Sequence, residues 1–188
     1  MLKNNSPNHF AHVAIHVMSC HFKNLSHERR IGFPKMERDF VDYLWEQHRI
    51  PTIWTVGKEN SEDYILTGFS YPENATDAAR SADLQEVGVR QHETIFMGNH
   101  ENVFRGKIGG SYIRKIGGDS VLLTGMNSPY CVAMSASGAV LDGFRCIVIN
   151  DLLACAAYPI HEDWNAGNPE WHKEQVQKNV GTRVRKKN

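Results

Sequence analysis

Cys131 carries the clearest chemical potential in this chain, and its setting says why. A short apolar, β-branched run, Val121-Leu122-Leu123-Thr124, ends in Gly125-Met126-Asn127-Ser128-Pro129, a tight-turn composition. From Cys131 a segment of small and apolar residues then runs to Asp142-Gly143. This reads as strand, sharp turn and helix, with a thiol at the helix start. The first-turn amides of a helix lack partners and the helix dipole is positive there, so a thiolate is favoured over a thiol. Cysteine is intrinsically nucleophilic but only a few per cent ionised at neutral pH, so such a position supplies part of what a nucleophile needs. The same residue also fits a small buried core position, the common fate of an unpaired cysteine.

The elements that would position this thiol can be read in order. Ala11 to Met18 forms an apolar strand interrupted by His12 and His16. Pro34 opens a helix whose stripe is Met36, Phe40, Tyr43, Leu44 and Gln47. Ile50 to Val56 is a second strand with Pro51 at its start. Residues 57–91 are polar and read as a long excursion with a short helix around 74–82. Glu93 to Met97 is a short strand. Phe104, Ile108, Tyr112 and Ile116 give a helical stripe over 104–116, capped by Gly117, although Gly106, Gly109 and Gly110 each weaken it by about 1 kcal/mol relative to alanine. A strand at 121–125, a helix at 131–142, a strand at 144–150, a helix at 169–178 and a short edge strand at 182–184 complete the chain. Strands alternating with helices imply a doubly wound parallel sheet, which binds ligands at the carboxyl ends of its strands, where Cys131 sits.

Composition sets the outer limits. The 188 residues are read as a single domain over 1–188, with about 1–9 and 183–188 as flexible tails. The chain is 41% hydrophobic and 22% charged with a formal net charge of zero, so no excess charge points to nucleic acid or to a bilayer surface. The basic run Arg183 to Lys187 reads as a solvated tail. Cys20, Cys131, Cys146 and Cys155 show no CxxC spacing, which fits a reducing compartment. No apolar run approaches the ~18 residues of a membrane span, and Met1 to Pro7 lacks the apolar core of a signal peptide. A cytoplasmic location is the expectation.

Gly125-Met126-Asn127-Ser128-Pro129-Tyr130-Cys131-Val132, followed by Ser135-Ala136, Ala139, Asp142-Gly143-Phe144 and Asn150-Asp151, resembles the signature of the isochorismatase-like cysteine hydrolases. Phe22 after the first strand, Ile50-Pro51-Thr52-Ile53-Trp54, and Asn102-Val103-Phe104 in place of the family's Ser-Ala-Phe extend the likeness over about residues 10–160. The resemblance implies a three-layer α/β/α Rossmann-like fold with a mainly parallel sheet, and a homo-oligomer. Its members include nicotinamidases, carbamoyl-amide hydrolases and isochorismatase. The amidases use a Cys nucleophile, an Asp base and a Lys, with an oxyanion hole beside a non-proline cis peptide. Carried over, these features place the nucleophile at Cys131 and the cis bond between Met126 and Asn127.

Two positions depart from the pattern. In His16-Val17-Met18-Ser19-Cys20-His21-Phe22 the family's Asp falls on Val17 or Met18, and neither accepts a proton. The Lys, six residues before the Phe of Ser-Ala-Phe, falls on Gly98. Loss of triad members in acyl-transfer enzymes costs roughly 10⁴ to 10⁶ in turnover, whereas the helix dipole returns at most ~2 kcal/mol. His16 and His100 are candidate replacement bases, or else a strand histidine and a solvent-facing loop histidine. Lys107 is a further cation, read as a surface charge. His12, His21 and His100 suggest a metal, but the Asp-x-His spacing of metal-binding relatives is missing, so no metal and no cofactor are assigned.

Two functions follow. One is a pseudoenzyme that binds a small ligand or assembles with itself or another protein. The other is a divergent cysteine hydrolase of a small amide, ester or vinyl ether, with Cys131 as nucleophile and His16 or His100 as base. Leu152 to Tyr158 is an apolar run that suits either a subunit contact or the core, and Trp164 and Trp171 suit interface anchors or core lids.

Overall fold

The structure is a computed structural model that describes residues 10–22, 25–57, 64–67, 84, 87–98, 101–105, 108–116, 118–155, 174 and 177–178. Five strands run parallel: β1 (Phe10–Ile15), β2 (Thr52–Gly57), β4 (Thr94–Gly98), β5 (Ser120–Met126) and β6 (Arg145–Ala154). β3 (Tyr64–Leu66) adds antiparallel to β4, and the sheet order is β3-β4-β2-β1-β5-β6. The mainly parallel α/β fold expected from the alternating pattern is therefore present.

Period-2 alternation sorts the strand residues onto two faces. Ala11, Val13, Ile15, Ile53, Val121 and Leu123 join Phe104, Ile113, Val132, Ala136 and Phe144 in one apolar cluster. This face carries α3 (Ile108–Lys115) and α4 (Ala133–Leu141). Ala14, Trp54, Val56, Ile95 and Met97 join Phe22, Phe33 and Val41 in the other. That second face carries α2 (His27–His48), and the short α1 (Ser19–Phe22) contributes Phe22 to it.

Several boundaries differ from the sequence reading, each for a local reason. β1 stops at Ile15 because His16 takes a left-handed backbone with φ +48°. α2 begins at His27 rather than Pro34: Ser26 caps it, its hydroxyl accepting the Arg29 amide at 3.4 Å. Its first turn is polar and so invisible to apolar periodicity. The helix runs on through Pro34, losing one i→i−4 bond, because Phe33, Glu37, Val41 and Leu44 keep that side buried against the sheet. α3 starts only at Ile108: a Cβ on Gly109 would stand 2.1 Å from the carbonyl of Val103, and Val103 and Phe104 are in a turn. β6 extends to Ala154, where a register shift opposite Leu123–Gly125 accommodates Asn150 and Asp151. Leu152, Leu153 and Ala154 are thus buried strand residues. β3 lies within the stretch read as an excursion. The expected helix at 74–82, the edge strand at 182–184, the cap Gly117, both tails, Lys107, Tyr158, Trp164 and Trp171 lie outside the described residues. Of the helix read at 169–178, Glu174, Gln177 and Lys178 are described, and all three are helical.

Candidate functional site

The carboxyl edge of the sheet gathers the residues singled out in sequence. β5 leaves the sheet through Gly125, which has φ +113° and whose absent Cβ would stand 2.1 Å from the carbonyl oxygen of Ile15. Only glycine permits that approach of β5 to β1. The chain then turns through Ser128–Val132 as one π-helical turn, in which the amides of Tyr130 and Val132 donate to the carbonyl of Asn127 at 2.9 and 3.4 Å. Pro129, with no N–H, stands at the start of this turn, where its missing donor costs least. Cys131 lies inside this turn, two residues before α4 begins at Ala133, rather than opening the helix as the sequence reading expected. It is 8% exposed and packs in the cluster with Ile15, Phe104 and Ala136. The residue singled out in sequence as a candidate nucleophile is thus a core residue in the structure.

The segment before α3 is pinned to α4 by the small residues that follow Cys131. The Ser135 hydroxyl accepts the Val103 amide at 3.2 Å and donates to the Glu101 carbonyl at 3.4 Å. The Asn102 side chain accepts the Phe104 amide at 2.9 Å and lies against Gly138, where a Cβ would come within 2.4 Å of its oxygen. These contacts give the Ser135-Ala136 part of the motif a structural reason: it seats Asn102-Val103-Phe104 beside the Cys131 turn.

His16 follows the last residue of β1. Its amide donates to the Thr55 hydroxyl at 3.0 Å, and its ring stacks on His21 with centroids 6.0 Å apart. Its Nε2 lies 3.9 Å from the position a Cβ of Gly57 would take, so the imidazole reaches over the end of β2. Burial, and secondarily the field of His21, lower its pKa from 6.5 to about 4, so the ring is neutral at physiological pH. A non-glycine residue held at positive φ is strained by roughly 1–3 kcal/mol, a cost common at functional positions.

Val17 and Met18 are buried in the α2-side cluster with Phe22, Phe33, Trp54 and Met126, while Cys131 belongs to the opposite cluster. Gly98 ends β4 in register with Gly57, so the carboxyl ends of two neighbouring strands carry no side chains. Met126 is buried and Asn127 half-buried at the end of β5. His100 lies outside the described residues. His12 and His21 are not neighbours in one cluster: His12 is hydrogen-bonded inside the α2 face and His21 stacks on His16. Among the described residues no group of three or more His, Cys, Asp or Glu is placed to hold a metal ion. None of the four cysteines is in a disulfide, and burial pushes the Cys146 thiol up to about 12.

Two buried polar groupings were missed in sequence. Glu93 accepts from Arg38, from the Trp54 indole at 2.7 Å and from the Arg90 amide at 3.0 Å, tying α2 to β2 and β4. Glu37, on the buried side of α2, accepts the Thr124 hydroxyl at 3.0 Å. A carboxylate on a helix gives no sequence signal that it points inward.

The sequence model of the Isochorismatase domain matches residues 11–173. The chain belongs to the isochorismatase family. Solved structures of similar fold include an isochorismatase-like hydrolase from Alkaliphilus metalliredigens, with TM-score 0.60, 14% identity, and coverage of 95% of this chain and 99% of that one. N-carbamoylsarcosine amidase from Thermoplasma acidophilum matches with TM-score 0.58 and 17% identity over 86% of this chain and 92% of its own. Pyrazinamidase of Pyrococcus horikoshii, solved in complex with zinc, matches with TM-score 0.61 and 14% identity over 92% and 97%. A comparison with curated protein sequences gives no match. Among the described residues no helix of this isochorismatase-family chain is long and apolar enough to cross a membrane.

Proposed function

We propose that this isochorismatase-family protein is a cytoplasmic homo-oligomer that lacks the family's amidase activity and uses the carboxyl edge of its sheet to bind a small ligand or a protein partner. The observation that carries this reading is the filling of the positions matched to the family's acid and cation. Val17 and Met18 are spent on the α2-side core, and Gly98 ends its strand without a side chain. Neither position supplies a proton acceptor or an ammonium to Cys131. Acyl transfer from a thiol needs a base, and its tetrahedral intermediate needs charge stabilisation. By the family resemblance the peptide between Met126 and Asn127 would be the cis bond and oxyanion element, and on this reading it would lack the groups that make it productive. A panel of amides, carbamoyl-amides, esters and vinyl ethers, assayed with the wild type and with Cys131→Ser, tests it. The expected result is no turnover that depends on Cys131; robust hydrolysis lost in the Ser variant overturns it.

A second reading has its own observation. His16 is a neutral imidazole held in a left-handed conformation at the end of β1, beside the position of the family's Asp. In this reading His16 accepts the Cys131 proton, and the protein is a divergent cysteine hydrolase of a small amide, ester or vinyl ether. Its low pKa makes it a weak base, so the activity would be slow and equally sensitive to Cys131→Ser and His16→Asn.

A further inference from the structure

A chain of buried hydrogen bonds crosses from the sheet to α2, away from the site described above. Thr52 on β2 meets His12 Nδ1 at 3.2 Å. His12 Nε2 meets the Thr124 hydroxyl on β5 at 2.9 Å, and Thr124 meets Glu37 Oε2 at 3.0 Å. His12, Thr124 and Glu37 are fully buried and Thr52 is nearly so. The Phe40 ring closes the edge of His12, with centroids 5.4 Å apart. Glu37 Oε1 has no hydrogen-bond partner among the described residues.

This arrangement admits two polarities. If Glu37 carries its proton on Oε2, the carboxyl donates to Thr124, Thr124 donates to His12 Nε2, and His12 Nδ1–H donates to Thr52. Each of the three links then has one donor and one acceptor. A proton on Oε1 would instead be a buried donor with no acceptor, costing about 1–3 kcal/mol. Once Glu37 ionises, Thr124 must donate to the carboxylate, His12 must donate from Nε2, and Thr52 donates to Nδ1. One proton leaves in total, and each of the three links reverses. Because each hydroxyl has one hydrogen, no mixed polarity satisfies all four groups.

We propose that Glu37, Thr124, His12 and Thr52 form a proton-coupled polarity switch, in which ionisation of the Glu37 carboxyl sets the tautomer of His12 across β5 and β1. The charged and titratable surroundings are consistent with one dominant titration. From the sheet, His12 is the titratable group turned to Glu37. It stays neutral, its pKa lowered to about 3 by burial and then by the field of Arg38. On α2, Arg38 is engaged by Glu93 and Asp42, and Arg29 donates to the Leu153 carbonyl at 3.0 Å. Just before β4, Glu93 is taken up by Arg38 and Trp54. Burial raises Glu37 from 4.5 to about 8, opposed in part by the Thr124 hydrogen bond. The switch therefore operates just above neutrality. Thr124 is the residue before Gly125 on β5 and stands four residues before Ser128, where the turn that carries Cys131 begins. The inference does not depend on whether that thiol is catalytic.

Nitrogen-15 NMR of the histidine rings reads the tautomer directly, at about pH 6 and about pH 9, either side of the Glu37 midpoint of about 8. The wild type is expected to pass from Nδ1–H to Nε2–H at His12 with no imidazolium signal. In Glu37→Gln and in Thr124→Val the change with pH is expected to be lost; the Val variant keeps the carboxyl but cuts the link, and serves if the Gln variant does not fold. One tautomer at both pH values in the wild type, an imidazolium at His12, or an unchanged switch in either variant overturns the proposal.

Discussion

The buried titratable groups make a quantitative prediction for stability against pH, with Glu37→Gln as the perturbation. His12 and His16 have pKa values lowered from 6.5 to about 3 and about 4 by burial. Below pH 6.5 the unfolded chain takes up protons that the folded chain refuses, so these two groups favour folding above 6.5 and progressively less as pH falls. Glu37 acts in the opposite sense. Its pKa is raised from 4.5 to about 8 by burial, so the folded state keeps a proton that the unfolded state loses, and its contribution declines as pH rises from 4.5 to 8. Between 4.5 and 6.5 the unfolded state gains two protons against one retained by the folded state. The net is one, and stability should climb by about 1.4 kcal/mol per pH unit. Between 6.5 and 8 only Glu37 acts, and stability should fall at the same slope, by about 2 kcal/mol in all. A stability maximum near pH 6.5 results. Glu37→Gln removes the alkaline fall and roughly doubles the acid slope. Guanidinium chloride unfolding at fixed protein concentration measures both limbs, and the alkaline limb corresponds to a Tm loss of roughly 4–8 °C. A wild-type curve flat or rising above pH 6.5, or a Gln variant with the same alkaline slope, refutes the reasoning.

Other expectations rest on single contacts. Gly125→Ala should cost more than about 3 kcal/mol, because the new Cβ meets the Ile15 carbonyl and the φ of +113° disfavours any side chain. A loss below 1 kcal/mol by denaturant unfolding would contradict this. Glu93→Ala should cost about 3–5 kcal/mol, since it strands the Trp54 indole and removes one of the two carboxylates that hold Arg38. Tryptophan fluorescence should shift as well, and a change in neither quantity would count against a buried ion pair. Ser135→Ala should cost roughly 1–2 kcal/mol by leaving the Val103 amide unpaired, and should raise proteolytic sensitivity around Asn102. Unchanged cleavage would argue that Ser135 does not pin this segment.

The sheet was legible in the sequence because β1, β2, β4 and β5 are buried on both faces and read as apolar runs. Val121-Leu122-Leu123 and Ala11 to Ile15 are examples. The turn into Cys131 was legible from Gly125 and Pro129, whose backbone requirements are local. What escaped depends on distant partners or on backbone state. Glu37 looks like any surface carboxylate on a helix, and its hydrogen-bond partner lies 87 residues away. The first turn of α2, His27-Glu28-Arg29-Arg30, has no apolar periodicity and is recognised only through its Ser26 cap. The early end of β1 follows from the left-handed backbone of His16, which no residue pattern announces. β3 is three residues long, too short for a periodic signal.

The proposal that Val17, Met18 and Gly98 leave the positions of the family's Asp and Lys without a proton acceptor or an ammonium is tested most directly by the ionisation of Cys131. Iodoacetamide alkylation followed across pH, with the Cys131 peptide resolved from those of Cys20, Cys146 and Cys155 by mass spectrometry, gives that midpoint. The expected result is slow alkylation with an apparent pKa of about 8.5 or above. A midpoint near 7 or lower, with rapid reaction abolished in His16→Asn, would contradict it.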